Sequence, residues 1–271
     1  MYTLSQSIRA RGDAGDPLPP AFASLDRAGT RFLRGQVSLT VAGGGTGKSA
    51  FMLAQILKAA SPIPAIYCSA DSSADIQLSR AISIVTGIRM SESVAAVRRN
   101  DISSYAALLD RHPVRFDYSA SPSIEDIEDT VAAWYELYGE DAHMIVLDNI
   151  TNIRGGSAAN DDDPFGGLEA LMDWANDMAR TTGAHVAGLH HTTGPHNDGA
   201  SPIPMSGVKG QITRVPALVI TLHKPDPGTL AASTVKNRAD RSDPSGSTFV
   251  ELGFDGDTMQ ITDDAFSTVS Y

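Results

Sequence analysis

The stretch VAGGGTGKSA, residues 41–50, carries the most definite chemistry in the chain. Gly43, Gly44 and Gly45 are followed by Thr46, Gly47, Lys48 and Ser49. A phosphate-binding loop needs backbone N–H groups that converge on the phosphate oxygens with no side chains in the way. Glycine meets both needs, and a helix N-terminus adds favourable partial charge. A lysine at that helix start reaches the β- and γ-phosphates, and the next hydroxyl ligates Mg²⁺. The spacing fits G-x-x-x-x-G-K-[ST], with Ala42 in place of the first glycine. A glycine-rich turn that merely precedes a helix is the alternative. The context favours the phosphate loop, because an apolar run (36–42) precedes it and KSAFMLAQILKAA follows. Gly43 to Ser49 are therefore expected to hold ATP, with Ser49 on the metal.

Hydrolysis needs further parts. The apolar run HMIVLD ends on Asp148. A carboxylate at the carboxyl end of a neighbouring strand can hold the hydration shell of Mg²⁺, and Asp148 is read in that role in preference to a plain strand terminus. Asp71 follows the run AIYCS. In a doubly wound sheet the carboxyl ends of the strands face one crevice, so Asp71 is the expected base for water. The competing role is an N-terminal cap for a helix beginning near Ser72. His190, His191, His196 and Asp198 have the spacing H-H-x4-H, which matches no ordinary zinc pattern. Adjacent strand residues face opposite ways, so one of the histidine pair is expected towards the nucleotide and the other packed or solvated. Cys68 sits within a strand and reads as a buried residue, not a nucleophile.

These residues need a scaffold. Short apolar runs at 36–42, 65–69, 114–118, 143–148, 185–190 and 217–223 read as buried strands. Segments with helical spacing lie between them. Ile76, Ala81, Ile82 and Val85 are expected to share one face. Leu168, Leu171, Ala175 and Met178 form another, with Gly183 as C-cap. The alternation predicts an α/β fold with a mainly parallel twisted sheet flanked by helices. After residue 217 the runs TLAASTVKNR, STFVELGF and TMQIT are separated by turns, which predicts a closing antiparallel meander. Residues 1–20 are polar and end in DPLPP, so they read as a flexible arm ahead of one domain over 21–271.

In this order the motifs resemble the RecA-type P-loop ATPase core, nearest to DnaB-like replicative helicases and plasmid RepA-type hexameric helicases, over residues 18–261. PPAFASLDRAGTRFLRGQVSLTVAGGGTGKS resembles the opening segment of that family. YCSADSSADIQLSRAISIVTGI resembles its strand–carboxylate–helix segment, MIVLDNI its Walker B strand and HVAGLHHTTG its sensor strand in a His-His form. STVKNRADRSDPSG resembles its C-terminal strand and turn. The resemblance implies that Lys48 and Ser49 bind phosphate and Mg²⁺, Asp71 is the base and Asp148 the Mg²⁺ carboxylate. It implies that His190 or His191 senses the γ-phosphate, and that Lys236 and Arg238 reach a neighbouring subunit's nucleotide as arginine finger and companion. It further implies a homo-oligomer, a hexameric ring, acting on single-stranded or branched DNA in phage- or plasmid-type replication or recombination. Asp71 stands where the family usually has glutamate. Its shorter reach, by about 1.5 Å, predicts slow hydrolysis or positioning through a second water. The chain leaves no room for the separate N-terminal domain of full-length DnaB helicases, so primase docking through that domain is not expected.

A net charge of −11 argues against a protein that coats nucleic acid by general basicity, but permits a locally basic groove. Two long polar loops are the places for one. The first, 151–167, contains Arg154; the second, 192–214, contains Lys209 and Arg214. In RecA-like rings such loops line the channel, so these three cations are the expected DNA contacts; plain mobile loops are the alternative. Two other functions stay open. In a DNA branch-processing recombinase or nuclease, Asp161–Asp163 would bind metal, and a nucleotide-switched scaffold resembling KaiC-like ATPases would need no DNA. No apolar run approaches the roughly 18 residues of a membrane helix, no apolar leader is visible and a single cysteine precludes an intrachain disulfide. A cytoplasmic protein without membrane contact is expected.

Overall fold

The computed structural model describes residues 2–154 and 166–263. Among them the strands are β1 (Val37–Ala42), β2 (Ala65–Ser69), β3 (Val114–Asp117), β4 (Met144–Asp148), β5 (His185–His191), β6 (Leu218–His223), β7 (Thr229–Asn237), β8 (Val250–Asp255) and β9 (Gln260–Thr262). The α-helices are α1 (Ile8–Arg11), α2 (Ala23–Arg27), α3 (Lys48–Leu57), α4 (Ala74–Thr86), α5 (Met90–Arg98), α6 (Ser103–Leu109), α7 (Ile124–Tyr138) and α8 (Gly166–Thr182). One sheet holds all the strands in the order β3-β2-β4-β5-β1-β6-β7-β8-β9. From β3 to β6 the neighbours run parallel. From β6 to β9 they run antiparallel, which is the expected closing meander.

Strands covered on both faces must be apolar at both parities, and β1, β2, β4 and β6 are buried along their whole length. On one face Val37, Leu39 and Val41 of β1 join Ile145 and Leu147 of β4. They pack on Ile127 and Trp134 of α7 and Leu171 and Ala175 of α8. On the other face Tyr67, Met144 and Val146 meet Phe51, Leu53 and Ile56 of α3. Burying each large side chain contributes about 1.5–3 kcal/mol, so the two layers fix where the strand ends lie. The α7 helix begins with a capping box, Ser123 with Asp126.

The last strand is clamped to the helices. Lys58, just beyond α3, donates to the Ile261 carbonyl at 2.8 Å and to Gln260 Oε1 at 3.1 Å. Gln260 Nε2 donates to the Ser83 and Ile84 carbonyls near the end of α4, both at 2.8 Å.

The structure corrects two sequence expectations and removes two of the competing alternatives. Residues 1–20 are not a free arm throughout. Gly15 N–H donates to the Arg34 carbonyl and Leu18 N–H to the Phe32 carbonyl, each at 2.8 Å, and Leu18 is buried in the α3-side cluster. Residues 2–12 remain exposed. Ile76 does not share the buried face of α4; it is exposed, whereas Ala81 and Ile82 are buried. That helix begins at Ala74 with Ser73 at its N-cap, so Asp71 does not cap it. The segment 192–214 is not a plain mobile loop, because Ile203, Val208 and Ile212 are buried anchors along it. Among the described residues no helix is long and apolar enough to cross a membrane.

Gly188 lies in β5 between β1 and β4. A Cβ there would meet Ile150 Cγ2 at 2.9 Å and Leu39 Cδ2 at 3.0 Å. Gly188→Ala is expected to lower unfolding free energy by about 1–3 kcal/mol, the usual effect of overpacking. Urea denaturation reads this directly, and an unchanged midpoint would mean that the centre of the sheet gives way at no cost.

Candidate functional site

The phosphate loop leaves β1 at the middle of the sheet and feeds α3. Gly45 (φ 73°) and Gly47 (φ 113°) take left-handed conformations that other residues adopt only at a cost. A Cβ on Gly43 would run into the Asn197 carbonyl, so the turn 194–199 closes over the loop there. Around Gly44 and Gly45 a Cβ would meet nothing within 4 Å. The loop is thus an open cradle with backbone N–H groups at a helix start, a fit for phosphate. Lys48 is buried beneath it. Its Nζ donates to the Ala42 and Gly43 carbonyls at 3.1 and 3.3 Å and lies 3.5 Å from His191 Nδ1. Burial lowers the Lys48 pKa, and the carboxylates of Asp148 and Asp71 act in the opposite direction.

Asp148 ends β4 and is buried. Its carboxylate accepts from the Tyr67 hydroxyl at 2.8 Å, and the Ser49 hydroxyl lies close enough to favour its charged form. Burial raises its pKa, against the pull of those two hydroxyls. Tyr67 is held well above the usual tyrosine range by burial and by Asp148, so it remains a donor. Ser49 and Asp148 bring two hard oxygens together beside the cradle. That donor set suits Mg²⁺, which binds one or two protein oxygens and fills its other positions with water and phosphate. Among the described residues there is no group of three or more His, Cys, Asp or Glu side chains able to hold a metal.

Asp71 follows β2, and its N–H and that of Ala70 approach the Asp148 carbonyl at 3.3 and 2.7 Å. Its carboxylate accepts from Asn149 Nδ2 at 3.0 Å and Asn152 Nδ2 at 3.4 Å. The histidine pair separates as adjacent strand residues must. His191 faces Lys48 and Asn149. His190 turns away, and its Nε2 meets the Lys209 carbonyl at 2.8 Å. His190 therefore does not reach the cradle. Burial pushes its pKa down to about 4.

The remaining expected residues lie elsewhere. Lys236 donates to the Thr213 and Arg214 carbonyls at 2.5 and 2.9 Å, and Arg238 to the Arg214 carbonyl at 2.9 Å. Both side chains therefore reach the same carbonyl. Neither has a carboxylate partner among the described residues. Burial, then Arg238 and Arg214, push the Lys236 pKa down to about 8. Arg154 donates to the Ser121 carbonyl at 2.8 Å and lies 3.9 Å from Asp126. Arg214 pairs with Asp173 at 3.2 Å. Lys209 is exposed. Asp161–Asp163 lie outside the described residues. Cys68 is buried, as expected of a strand residue, and burial pushes its thiol up to about 12.

Sequence reasoning missed Asn149, Tyr67 and Lys224. Lys224, just past β6, reaches the Gly45 carbonyl at 3.5 Å and lies over the Phe254 ring at 4.3 Å. A signal was present for Asn149, a polar residue next to Asp148 in VLDN, and for Tyr67, the lone hydroxyl-bearing aromatic in AIYCS.

Residues 13–195 match the family described as AAA domain. The chain is 54% identical over 268 residues to the gene 65 protein of Mycobacterium phage L5, covering 97% of this chain and 99% of that one. It is 53% identical over 230 residues to the gene 65 protein of Mycobacterium phage D29, covering 83% and 98%. Among solved structures, one described as an ATPase domain agrees with a TM-score of 0.78 at 15% identity, covering 96% of each chain. A DnaB-like replicative helicase, described with its interactions with primase, agrees with a TM-score of 0.77 at 15% identity, covering 96% of this chain and 64% of that one. At such identity the likeness speaks for the fold, that of a RecA-type P-loop ATPase.

Lys48→Ala should leave the domain folded and weaken ATP binding roughly 10- to 100-fold, the loss of charge-assisted phosphate contacts. Fluorescent-nucleotide titration beside circular dichroism is the check. A folded variant with wild-type affinity would remove the phosphate-loop assignment.

Proposed function

Because the chain belongs to the AAA domain family, with the fold of RecA-type P-loop ATPases, we propose that it is a Mg²⁺-dependent ATP hydrolase that moves on or remodels DNA as a homo-oligomeric ring, in a phage-type replication or recombination system. The observation that carries this reading is the meeting of Lys48, Ser49, Asp148, Asp71 and His191 at one edge of the sheet. Ser49 and Asp148 would hold Mg²⁺, which supplies charge neutralisation at the phosphate oxygens. Lys48 exchanges its loop carbonyls for the β- and γ-phosphate oxygens. Asp71 orients the attacking water and takes its proton. His191 contacts the γ-phosphate, and stabilisation of transition-state charge falls to Lys48 and to a neighbour's Arg238.

Support for the neighbour's part comes from Lys236, Arg238 and Arg214. Lys236 and Arg238 both donate to the Arg214 carbonyl, and neither has a carboxylate partner among the described residues. An anion supplied by another copy, such as its nucleotide phosphates, answers that arrangement in a head-to-tail contact that closes into a hexamer. DNA binding falls to Lys209, Arg154 and Arg214. The His190–Lys209 hydrogen bond ties the strand that carries His191 to the segment that carries Lys209. Arg154 and Arg214 must exchange their exposed carboxylate partners for DNA phosphates, a small cost because such surface pairs contribute about 0–1 kcal/mol.

ATP turnover measured with and without single-stranded DNA tests the reading; stimulation by DNA is expected. Arg238→Ala should bind ATP and lose about 10³-fold in turnover, the scale of an arginine finger. Mixing it with Lys48→Ala should restore part of the activity, since some interfaces then pair an intact loop with an intact finger. Full turnover from a demonstrably monomeric sample would end the ring model. Turnover that ignores DNA while assembly follows nucleotide would favour the scaffold function.

A pH dependence follows from Lys236. Its depressed pKa means that it is charged below about 8 and neutral above. Assembly should therefore weaken as pH rises above about 8, where the unassembled chain loses this charge, and Lys236→Arg should keep assembly and turnover high across that range. Identical profiles for the two proteins would show that the Lys236 charge plays no part.

A further inference from the structure

Asn149 follows Asp148 and is 2% exposed. Its side-chain oxygen accepts from the Thr151 N–H at 2.9 Å and from the Thr151 hydroxyl. Its Nδ2 donates to Asp71 Oδ2 at 3.0 Å and lies 3.2 Å from His191 Nε2. This orientation of the amide is the one that works. Turned over, it would set a carbonyl oxygen against the Asp71 carboxylate and an NH₂ group against the Thr151 N–H. One hydrogen of the NH₂ group thus goes to Asp71 and the other faces His191.

His191 Nε2 must then accept. A neutral imidazole carries one N–H, so the proton sits on Nδ1. Nδ1 lies 3.5 Å from Lys48 Nζ, which can only donate. Two donors, His191 Nδ1–H and the Lys48 ammonium, therefore stand 3.5 Å apart at the cradle. An oxygen of a phosphoryl anion satisfies both. Burial and the neighbouring Lys48 both favour the uncharged ring.

We infer that Asn149 is a positioning residue that fixes His191 in its Nδ1–H form, aims that proton with Lys48 at a terminal phosphoryl oxygen, and uses the same amide group to hold the Asp71 carboxylate. One NH₂ group thereby links the residue that recognises the terminal phosphate to the residue that handles the water. The inference rests on the ATPase reading above for the identity of the anion. The tautomer itself is a property of the protein without nucleotide.

The test uses the full chain with ¹⁵N-labelled histidine at mildly alkaline pH, with His191→Gln to assign the signal. In nucleotide-free protein His191 should show a protonated Nδ1 and an unprotonated Nε2. Asn149→Asp places an acceptor opposite Nε2 and should invert the tautomer. It should also lose roughly 10- to 100-fold of the preference for ATP over ADP, read as the ratio of the two affinities in the same variant. Asn149→Ala, which adds no charge beside Asp71 and Asp148, should lose the tautomer preference and part of the ATP preference. A wild-type ring protonated at Nε2 overturns the inference even if ATP is bound and hydrolysed. A ring unchanged in both variants does the same. Wild-type protein with the expected tautomer and no affinity for ATP overturns instead the ATPase reading, and with it the identity of the anion.

Discussion

The buried ammonium of Lys48 is the constraint around which the other parts of the site are arranged. A lone charge taken out of water costs several kcal/mol unless it is received by good partners. Here the Ala42 and Gly43 carbonyls receive it, and Asp148 and Asp71 lie close enough to favour its charge. Those partners exist because β1 stands between β5 and β6, with β4 and β2 next in line beyond β5. The parallel directions put the carboxyl ends of all these strands on one edge. The cradle already holds its lysine, so binding a phosphate exchanges partners without rebuilding the loop, which is the meaning of a preorganised site.

Strand parity then distributes the tasks. Two successive histidines on β5 face opposite ways, so one strand end meets both the lysine and the segment bearing Lys209. Lys236 in β7 and Arg238 just past its end reach the same carbonyl.

Much of this was legible in the sequence because it depends on short-range pattern. The strands were visible as uninterrupted apolar runs, and the phosphate loop was visible because its glycines, lysine and serine are fixed by spacing. What escaped depends on distant partners. The polar look of 13–18 hid an edge contact with 32–34, and only the pairing of Leu18 with Phe32 explains its order. The segment 192–214 concealed its anchors because Ile203, Val208 and Ile212 are spread between glycines and prolines with no period. Ile76 fits a helical face on paper, but α4 turns Gln77 inward instead, where it bonds to Ser69. Asn149 is a single amide whose role appears only when Asp71 and His191, 78 and 42 residues away in sequence, are brought to it.

The clamp on β9 has a mechanical meaning. At its first residue α3 carries the lysine of the cradle, and just past its last residue Lys58 grips the final strand of the meander. An α-helix of ten residues is a stiff rod about 15 Å long. It therefore works as a connecting rod. A tilt imposed at the cradle is delivered to the far end of the meander instead of being taken up by bending in between. Gln260 fastens the same strand to α4, so the meander that contains Lys236 is braced at its outer strand as well as along β6. Such bracing lets a small displacement at one end become a displacement of similar size at the other.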